Sequence, residues 1–339
     1  MKILVTGGLG FIGSHTVVEL VNAGYDPVIV DDLSNSDIKI LDQLAKIIGF
    51  TPKFYQLNLC DEAAVKQLAA DEADITGIIH FAASKAVGES VQNPLKYYYN
   101  NFYSLINLLR VYEGKKLNFV FSSSCTVYGQ PDVLPVTEDA PVKAAESPYG
   151  NTKQIAEEIL KDVVKSGSTF NITALRYFNP VGAHETALIG ELPIGVPQNL
   201  VPFITQTAIG KREKITVFGN DYNTPDGSCI RDYIHVVDLA KAHVAAIKLM
   251  EQPDFKGYDV FNIGTGTGST VLEVIKAFEA STGVELNYQI GARREGDIEK
   301  VWGDVTKSAQ KLNWKANLDL DTMMSSAWAW EQYIAANPL

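Results

Sequence analysis

The stretch MKILVTGGLGFIGSH, residues 1–15, decides the fold. Ile3 to Val5 is an apolar run with β-branched ends and reads as a strand. Glycines follow at positions 7, 10 and 13, and an apolar-periodic stretch from about Ile12 to Asn22 reads as a helix. Glycine serves where φ must be positive, or where backbone must approach a diphosphate or pack a helix closely on a strand. The unpaired N–H groups of the helix start would then face phosphate. Working outward, a second strand, PVIV (27–30), runs into Asp31 and Asp32. A carboxylate at that strand end accepts from a ribose 2′-OH and repels a 2′-phosphate, which favours NAD over NADP.

The same alternation continues. Apolar runs FYQLNL (54–59), GIIHFA (77–82), LNFVFSS (117–123) and NITALRYF (171–178) are separated by helical stretches such as 62–70, 98–112 and 149–165. In the last of these Ile155, Ile159 and Val163 recur four apart and form one apolar face. Strands alternating with helices imply an α/β fold with a Rossmann-type doubly wound parallel sheet, covered on both faces. Residues 179–232 differ. Five prolines (180, 193, 197, 202, 225), many glycines and weak periodicity suit irregular ligand-facing loops. Residues 234–250 read as helix, 259–264 as strand and 270–281 as a helix opened by a Thr270/Glu273 capping box. GTGTGS (264–269) is expected to be a tight connection, because no acid-terminated strand follows it. The expected organisation is a dinucleotide-binding domain over 1–178 with a returning segment at about 234–262. A smaller mixed α/β substrate lobe then spans 179–233 and 263–339.

Composition narrows the function. A chain of 339 residues, 46% apolar and 20% charged, is globular and long enough for two lobes. A net charge of −11 argues against nucleic acid as a partner. Cys60, Cys125 and Cys229 are widely spaced and odd in number, as expected of reduced thiols in the cytoplasm. No apolar run approaches the ~20 residues that span a bilayer, and MKILVTGG is too short for a signal peptide. The five histidines show no metal-ligand spacing and are expected to be structural, so no metal is expected. No G-x-S-x-G elbow is present, which argues against a hydrolase.

SPYGNTK (147–153) places Tyr149 and Lys153 four apart on a helix that Pro148 can begin. An ammonium near a phenol favours phenolate, and a nicotinamide cation would add to that. A tyrosine that titrates near pH 10 needs such help to act as a base. Ser124 lies at the end of the strand NFVFSSS, where open α/β sheets bind ligands.

These motifs together resemble the extended short-chain dehydrogenase/reductase family, and within it the UDP-hexose 4-epimerases. The resemblance runs nearly end to end, through GGLGFIGSH (7–15), DDLSNS (31–36), HFAASKAVGESV (80–91), SSSCTVYG (122–129), LRYFNPVGAH (175–184), RDYIHVVDLA (231–240) and ARREGD (292–297). It implies Ser124, Tyr149 and Lys153 as catalytic residues. It implies an NAD site built from Gly7, Gly10, Phe11, Ile12, Gly13, Asp31, Asp32, Leu33, Ser34, Asn35, Ser36, Asn58, Leu59, Phe81, Ala82, Ala83, Lys85, Asn100, Ser122 and Phe178, with Tyr149 and Lys153. It implies a UDP-hexose site built from Lys85, Ser124, Tyr149, Asn179, Asn199, Leu200, Thr216, Val217, Phe218, Arg231, Tyr233, Arg294, Asp297 and Val301. Arg231 and Arg294 suit diphosphate oxygens through their guanidinium forks. A homodimer is implied as well.

The C4–H of a hexose is not acidic, so epimerisation there calls for hydride transfer to NAD while Tyr149 takes the 4-OH proton. The 4-keto sugar must then turn over and be reduced on its other face. Two positions depart from the family pattern. Asn58 stands where an aspartate usually accepts from adenine, and its carbonyl can still accept. Val301 stands where relatives carry tyrosine or a smaller residue, and leaves room for an N-acetyl group. A 4,6-dehydratase is the nearest alternative, but such relatives carry Asp-Glu where this chain has Cys125 and Thr126. A non-enzymatic NAD-binding regulator need not keep the tyrosine and lysine.

Overall fold

A computed structural model describes residues 1–294 and 297–338. In chain order the first part runs β1 (Lys2–Thr6), α1 (Phe11–Asn22), β2 (Asp26–Asp31), α2 (Lys39–Ile48), β3 (Lys53–Gln56), α3 (Glu62–Asp71), β4 (Ile75–His80), α4 (Val87–Gln92), α5 (Pro94–Val111), β5 (Leu117–Ser122), α6 (Pro148–Lys165) and β6 (Phe170–Tyr177). The chain continues through β7 (Asn179–Val181), α7 (Leu200–Ala208), β8 (Ile215–Phe218), β9 (Ile230–Arg231), β10 (Tyr233–His235), α8 (Val236–Met250) and β11 (Tyr258–Ile263). It closes with β12 (Ser269–Thr270), α9 (Val271–Thr282), β13 (Tyr288–Gly291), β14 (Lys300–Val301), α10 (Thr306–Lys311) and α11 (Leu320–Ala336).

Seven parallel strands in the order β11-β6-β5-β4-β1-β2-β3 make the central sheet. Successive side chains of a strand point to opposite faces. In β1, Ile3 and Val5 join one buried cluster with residues of α1 and α8, and Leu4 joins another with residues of α3, α5 and α6. All three are fully buried, and each such side chain contributes ~1.5–3 kcal/mol. An apolar strand without polar alternation is thus what a sheet covered on both sides demands. The fold is the expected Rossmann-type doubly wound sheet with a smaller C-terminal lobe of mixed short sheets. That lobe has its own core, in which Val201, Ile204, Val217, Val274, Phe278 and Met324 meet.

Some local expectations change. The run 54–59 is strand only to Gln56, where its partner β2 ends at Asp31; the Leu57 N–H makes the last bond between them, to Asp31 O at 3.2 Å. The proline-rich 179–232 stretch is not wholly irregular: it contains the nine-residue α7. Pro202 lies in the first turn of α7, where a missing N–H leaves no intrahelical bond unmade. The Thr270/Glu273 capping box is present at α9. Among the described residues no helix is long and apolar enough to cross a membrane.

Candidate active site

The turn from β1 to α1 forms a backbone cradle. Gly7 has φ +69, donates to Val30 O at 2.7 Å and accepts from Gly10 N at 3.1 Å. A Cβ on Gly13 would lie 2.1 Å from Gly7 O, so the helix packs on the turn closer than any side chain allows. Gly10 caps α1 with no side-chain cap, and the first turn holds no acid. Among the described residues no side chain caps this helix start, which fits a diphosphate. The chain end of β4 closes the other side, because Ala82 N lies 3.0 Å from where a Gly7 Cβ would stand.

Asp31 closes β2 and is buried. Its carboxylate accepts from Leu9 N at 3.1 Å, Leu33 N at 3.0 Å and Ser36 Oγ at 2.8 Å. Burial raises its pKa, against those donors. Asp32 accepts from Ser34 N at 2.9 Å, and Asn35 is exposed at the loop tip. The exposed Asn58 uses its carbonyl to accept from Cys60 N at 2.8 Å, and Leu59 is a core residue that offers a ligand only backbone. Phe81 donates from its N–H to Thr6 O and packs its ring 4.6 Å from that of His243. Ala82 donates to Thr6 Oγ1, and Ala83 is half-buried beside it. Asn100, on α5, donates to Ser84 Oγ at 3.3 Å.

The acid/base candidates converge at the end of β5. Ser147 caps α6 by accepting from Gly150 N, and Pro148 is its first residue, so the helix starts where the sequence says. Tyr149 and Lys153 are both buried. Lys153 Nζ donates to Ser122 O at 2.7 Å and lies 5.8 Å from the Tyr149 ring centroid. Ser122 Oγ pairs with Tyr177 OH at 2.9 Å. Ser124 caps the one-turn helix Cys125–Tyr128, and its hydroxyl opposes the rise in the Tyr149 pKa. Burial is the larger influence: it pushes the phenol well above its ordinary value, with Tyr177 adding to the rise. It also pushes Lys153 down to about 8, against the Glu157 carboxylate. The help expected from the Lys153 ammonium is thus set against desolvation of both groups.

The remaining candidates lie on the smaller lobe and its junction. Phe178 and Val301 share a buried cluster with Val127, Tyr128 and Val136. Val301, on β14, pairs with Arg231 on β9. Arg231 donates to Asp297 at 2.6 Å and Arg294 to the same carboxylate oxygen at 3.2 Å. Both cations are thus held by one carboxylate; Glu295 and Gly296 of the ARREGD motif lie outside the described residues. Asn179 N donates to Asp232 O at 2.9 Å. Asn199 caps the start of α7, whose first residue is Leu200, and donates to Glu191 Oε1 at 2.6 Å; Lys85 Nζ reaches that oxygen at 3.9 Å. Thr216 and Phe218 share one face of β8, with Arg294 5.7 Å from the Phe218 ring. Val217 points the other way into the lobe's core, and Tyr233 is buried in that same core.

Sequence reading missed Asp232. It is fully buried, and its carboxylate accepts from Thr265 N and Oγ1, Gly266 N and Gly303 N. Burial, against those donors, raises its pKa to about 6. It ties the 264–267 turn to the Val301 segment, and its place between Arg231 and Tyr233 was the only local signal. The histidines are structural in their contacts: burial holds His15 and His80 at about 3 and His235 and His243 at about 4, so all four are neutral at neutral pH.

Comparison with known proteins decides the family. A family model described as GDP-mannose 4,6 dehydratase matches residues 4–327. The UDP-glucose 4-epimerase of Haemophilus influenzae is 48% identical over 335 residues, 98% of each chain. The chain belongs to the UDP-glucose 4-epimerase family. Among solved structures, an epimerase from Stenotrophomonas maltophila with bound NAD and formylated UDP-arabinopyranose superposes with a TM-score of 0.95 at 45% identity, covering 99% of each chain. The Bifidobacterium longum epimerase in complex with NAD+ and UDP gives a TM-score of 0.93 at 47% identity, covering 100% of this chain and 99% of its own. The dehydratase description of the broader family does not carry over to chemistry here. Cys125 and Thr126 offer no carboxylate, and burial pushes the Cys125 thiol up to about 12.

Gly13→Ala tests the cradle. Its Cβ meets backbone on the Gly7 side, so the helix start must shift, at a cost of ~1–3 kcal/mol. The variant is expected to unfold at lower temperature and to carry less dinucleotide after purification, measured in an acid extract. Dinucleotide at the wild-type ratio would contradict this reading of the turn.

Proposed function

We propose that this chain interconverts UDP-galactose and UDP-glucose at C4 of the hexose, with tightly held NAD, as a homodimer in the cytoplasm. The observation that carries this is the convergence of Tyr149, Lys153 and Ser124 at the end of β5, in the same chain as a glycine cradle and an acid-terminated β2.

Bound NAD supplies the acceptor and donor for the C4 hydrogen. Tyr149 takes the proton from the 4-OH and returns it after the 4-keto sugar has turned over. Lys153, held by Ser122 O, keeps a positive charge beside the phenol, and Ser124 donates to the sugar oxygen. Arg231 and Arg294 grip the diphosphate. With one carboxylate between two guanidinium groups their site keeps a net positive charge, which suits a dianionic ligand. Asn179, Asn199, Leu200, Phe218 and Tyr233 complete the UDP side. The grip is on UDP and not on the hexose, as a sugar that must rotate requires.

The finer substrate range rests on Val301. It lies in a buried cluster with Phe178, and is smaller than a tyrosine would be there. We include the N-acetyl sugars UDP-GlcNAc and UDP-GalNAc as substrates on this ground. The homodimer is supported by an apolar stripe on α4 and α5: Val91, Leu95, Tyr99, Tyr103 and Ile106 are all exposed, Leu95 by 81%. Such a face at helical spacing is what two copies bury against each other. The cytoplasm is supported by three free cysteines.

Purified protein given UDP-galactose and no added NAD is expected to form UDP-glucose, and Tyr149→Phe to lower kcat by ~10²–10⁴. A 4-keto-6-deoxy product would instead assign a dehydratase. Val301→Tyr is expected to abolish turnover of UDP-GalNAc while sparing UDP-galactose; unchanged N-acetyl turnover would remove that part of the reading. Leu95→Glu is expected to halve the mass seen by light scattering. A wild type that is monomeric at the same concentration would remove the dimer.

A further inference from the structure

A buried charge cluster lies directly behind the acid/base residues and takes no part in the mechanism given above. Glu157 sits on α6 one turn beyond Lys153 and two beyond Tyr149, so the three share a helix face. It is 3% exposed, and Arg176 on β6 is 2% exposed. The Glu157 carboxylate accepts from Arg176 Nε at 2.9 Å and Nη2 at 2.6 Å, a two-pronged pairing. It also accepts from Ser123 Oγ at 2.6 Å and, more weakly, from Tyr258 OH at 3.3 Å on β11. Lys161 approaches from solvent at 4.0 Å. The rest of the guanidinium donates to Glu138 O at 3.2 Å and lies 4.8 Å from the Tyr128 ring centroid.

Each contact leads back to the site. Ser123 stands between Ser122, whose carbonyl holds Lys153, and Ser124. Its own N–H donates to Phe121 O at 3.0 Å and Leu175 O at 2.9 Å, so the serine run is fastened between β5 and β6. Tyr128 closes the one-turn helix that Ser124 caps. One carboxylate therefore bonds both the strand end that presents Ser124 and the neighbouring strand, from the helix that presents Tyr149 and Lys153.

We infer that Glu157 is a positioning residue of the acid/base pair: it fixes the Tyr149–Lys153 face of α6 against the serine run at the end of β5, and places a negative charge behind Lys153. A buried pair adds little to stability over an apolar replacement, so its placement here is better explained by the site than by the fold. Lys153 is faced by Tyr149 and Glu157 on its own helix, by neutral His80 at the end of β4, and by the Ser122 carbonyl and Phe121 ring on β5. Burial lowers the Lys153 pKa and the Glu157 charge opposes it. Loss of that charge therefore makes Lys153 shed its proton at lower pH, and the alkaline limb of kcat moves down.

The inference rests on the acid/base reading of Tyr149 and Lys153, which Tyr149→Phe tests separately. The experiment is a pH profile of kcat and KM for UDP-galactose on the holoenzyme, from about pH 6 to about pH 10, for wild type, E157Q, E157D and S123A. In E157Q the alkaline limb is expected to fall by about one pH unit, with kcat above the limb down about tenfold and KM little changed. E157D keeps the charge and is expected to bring the limb back. S123A is expected to lower kcat severalfold and leave the limb in place. If E157Q does not fold, S123A and E157D carry the test: kcat of S123A at the wild-type value, or a wild-type kcat for E157D/S123A, would overturn the inference. A folded E157Q with the wild-type limb, its kcat lowered equally at every pH, would overturn the inference. It would do so even with Tyr149→Phe inactive.

Discussion

The hydrogen bond from Lys153 Nζ to Ser122 O, 2.7 Å long and buried, is the constraint on which the site depends. A buried ammonium must find an acceptor, and the strand-end carbonyl is the one it finds. With the Ser123–Glu157 bond one turn on, that contact joins α6 to the end of β5. It thereby fixes where Tyr149 stands relative to Ser124, and it is possible only because the sheet order puts β5 between β4 and β6. The doubly wound topology is in this sense the site's scaffold. It brings the carboxyl ends of β1, β2, β4 and β5 to one edge, where cradle, acid and phenol meet.

The two lobes contribute opposite electrostatics. On the sheet side, burial disfavours charge: the phenol is raised, the lysine lowered and the histidines are held neutral. On the smaller lobe two guanidinium groups share one aspartate and keep net positive charge for an anion. The first environment opposes charge on the phenol, and the second suits an anion. An overall charge of −11 is compatible with an anionic ligand because the local arrangement carries the opposite sign.

Much of this was legible in the chain. The glycines at 7, 10 and 13, Asp31, the Tyr149/Lys153 spacing and the Thr270/Glu273 box are local patterns, each with one physical reading. What was not legible is non-local or masked by a local breaker. Pro202 made α7 read as loop, although it sits in the first turn where proline is harmless. The early end of β3 at Gln56 falls where its partner β2 ends, at Asp31, 25 residues away. The pairing of Glu157 with Arg176, 19 residues apart, leaves no mark in sequence, since a charge on a helix face reads as solvated until a second strand covers it. The burial of Tyr149 was hidden for a related reason. Spacing reveals the neighbouring charge but not the depth of burial, and burial is the larger influence.

The central claim is that the C4 hydrogen leaves and returns as hydride within a closed site, while only the O4 proton passes through Tyr149. UDP-galactose carrying deuterium at C4, turned over in ordinary water, tests it directly. Mass spectrometry of the UDP-glucose is predicted to show the deuterium fully retained at C4. Deuterium lost to solvent would contradict the account, because it would mean that the C4 hydrogen had been removed as a proton.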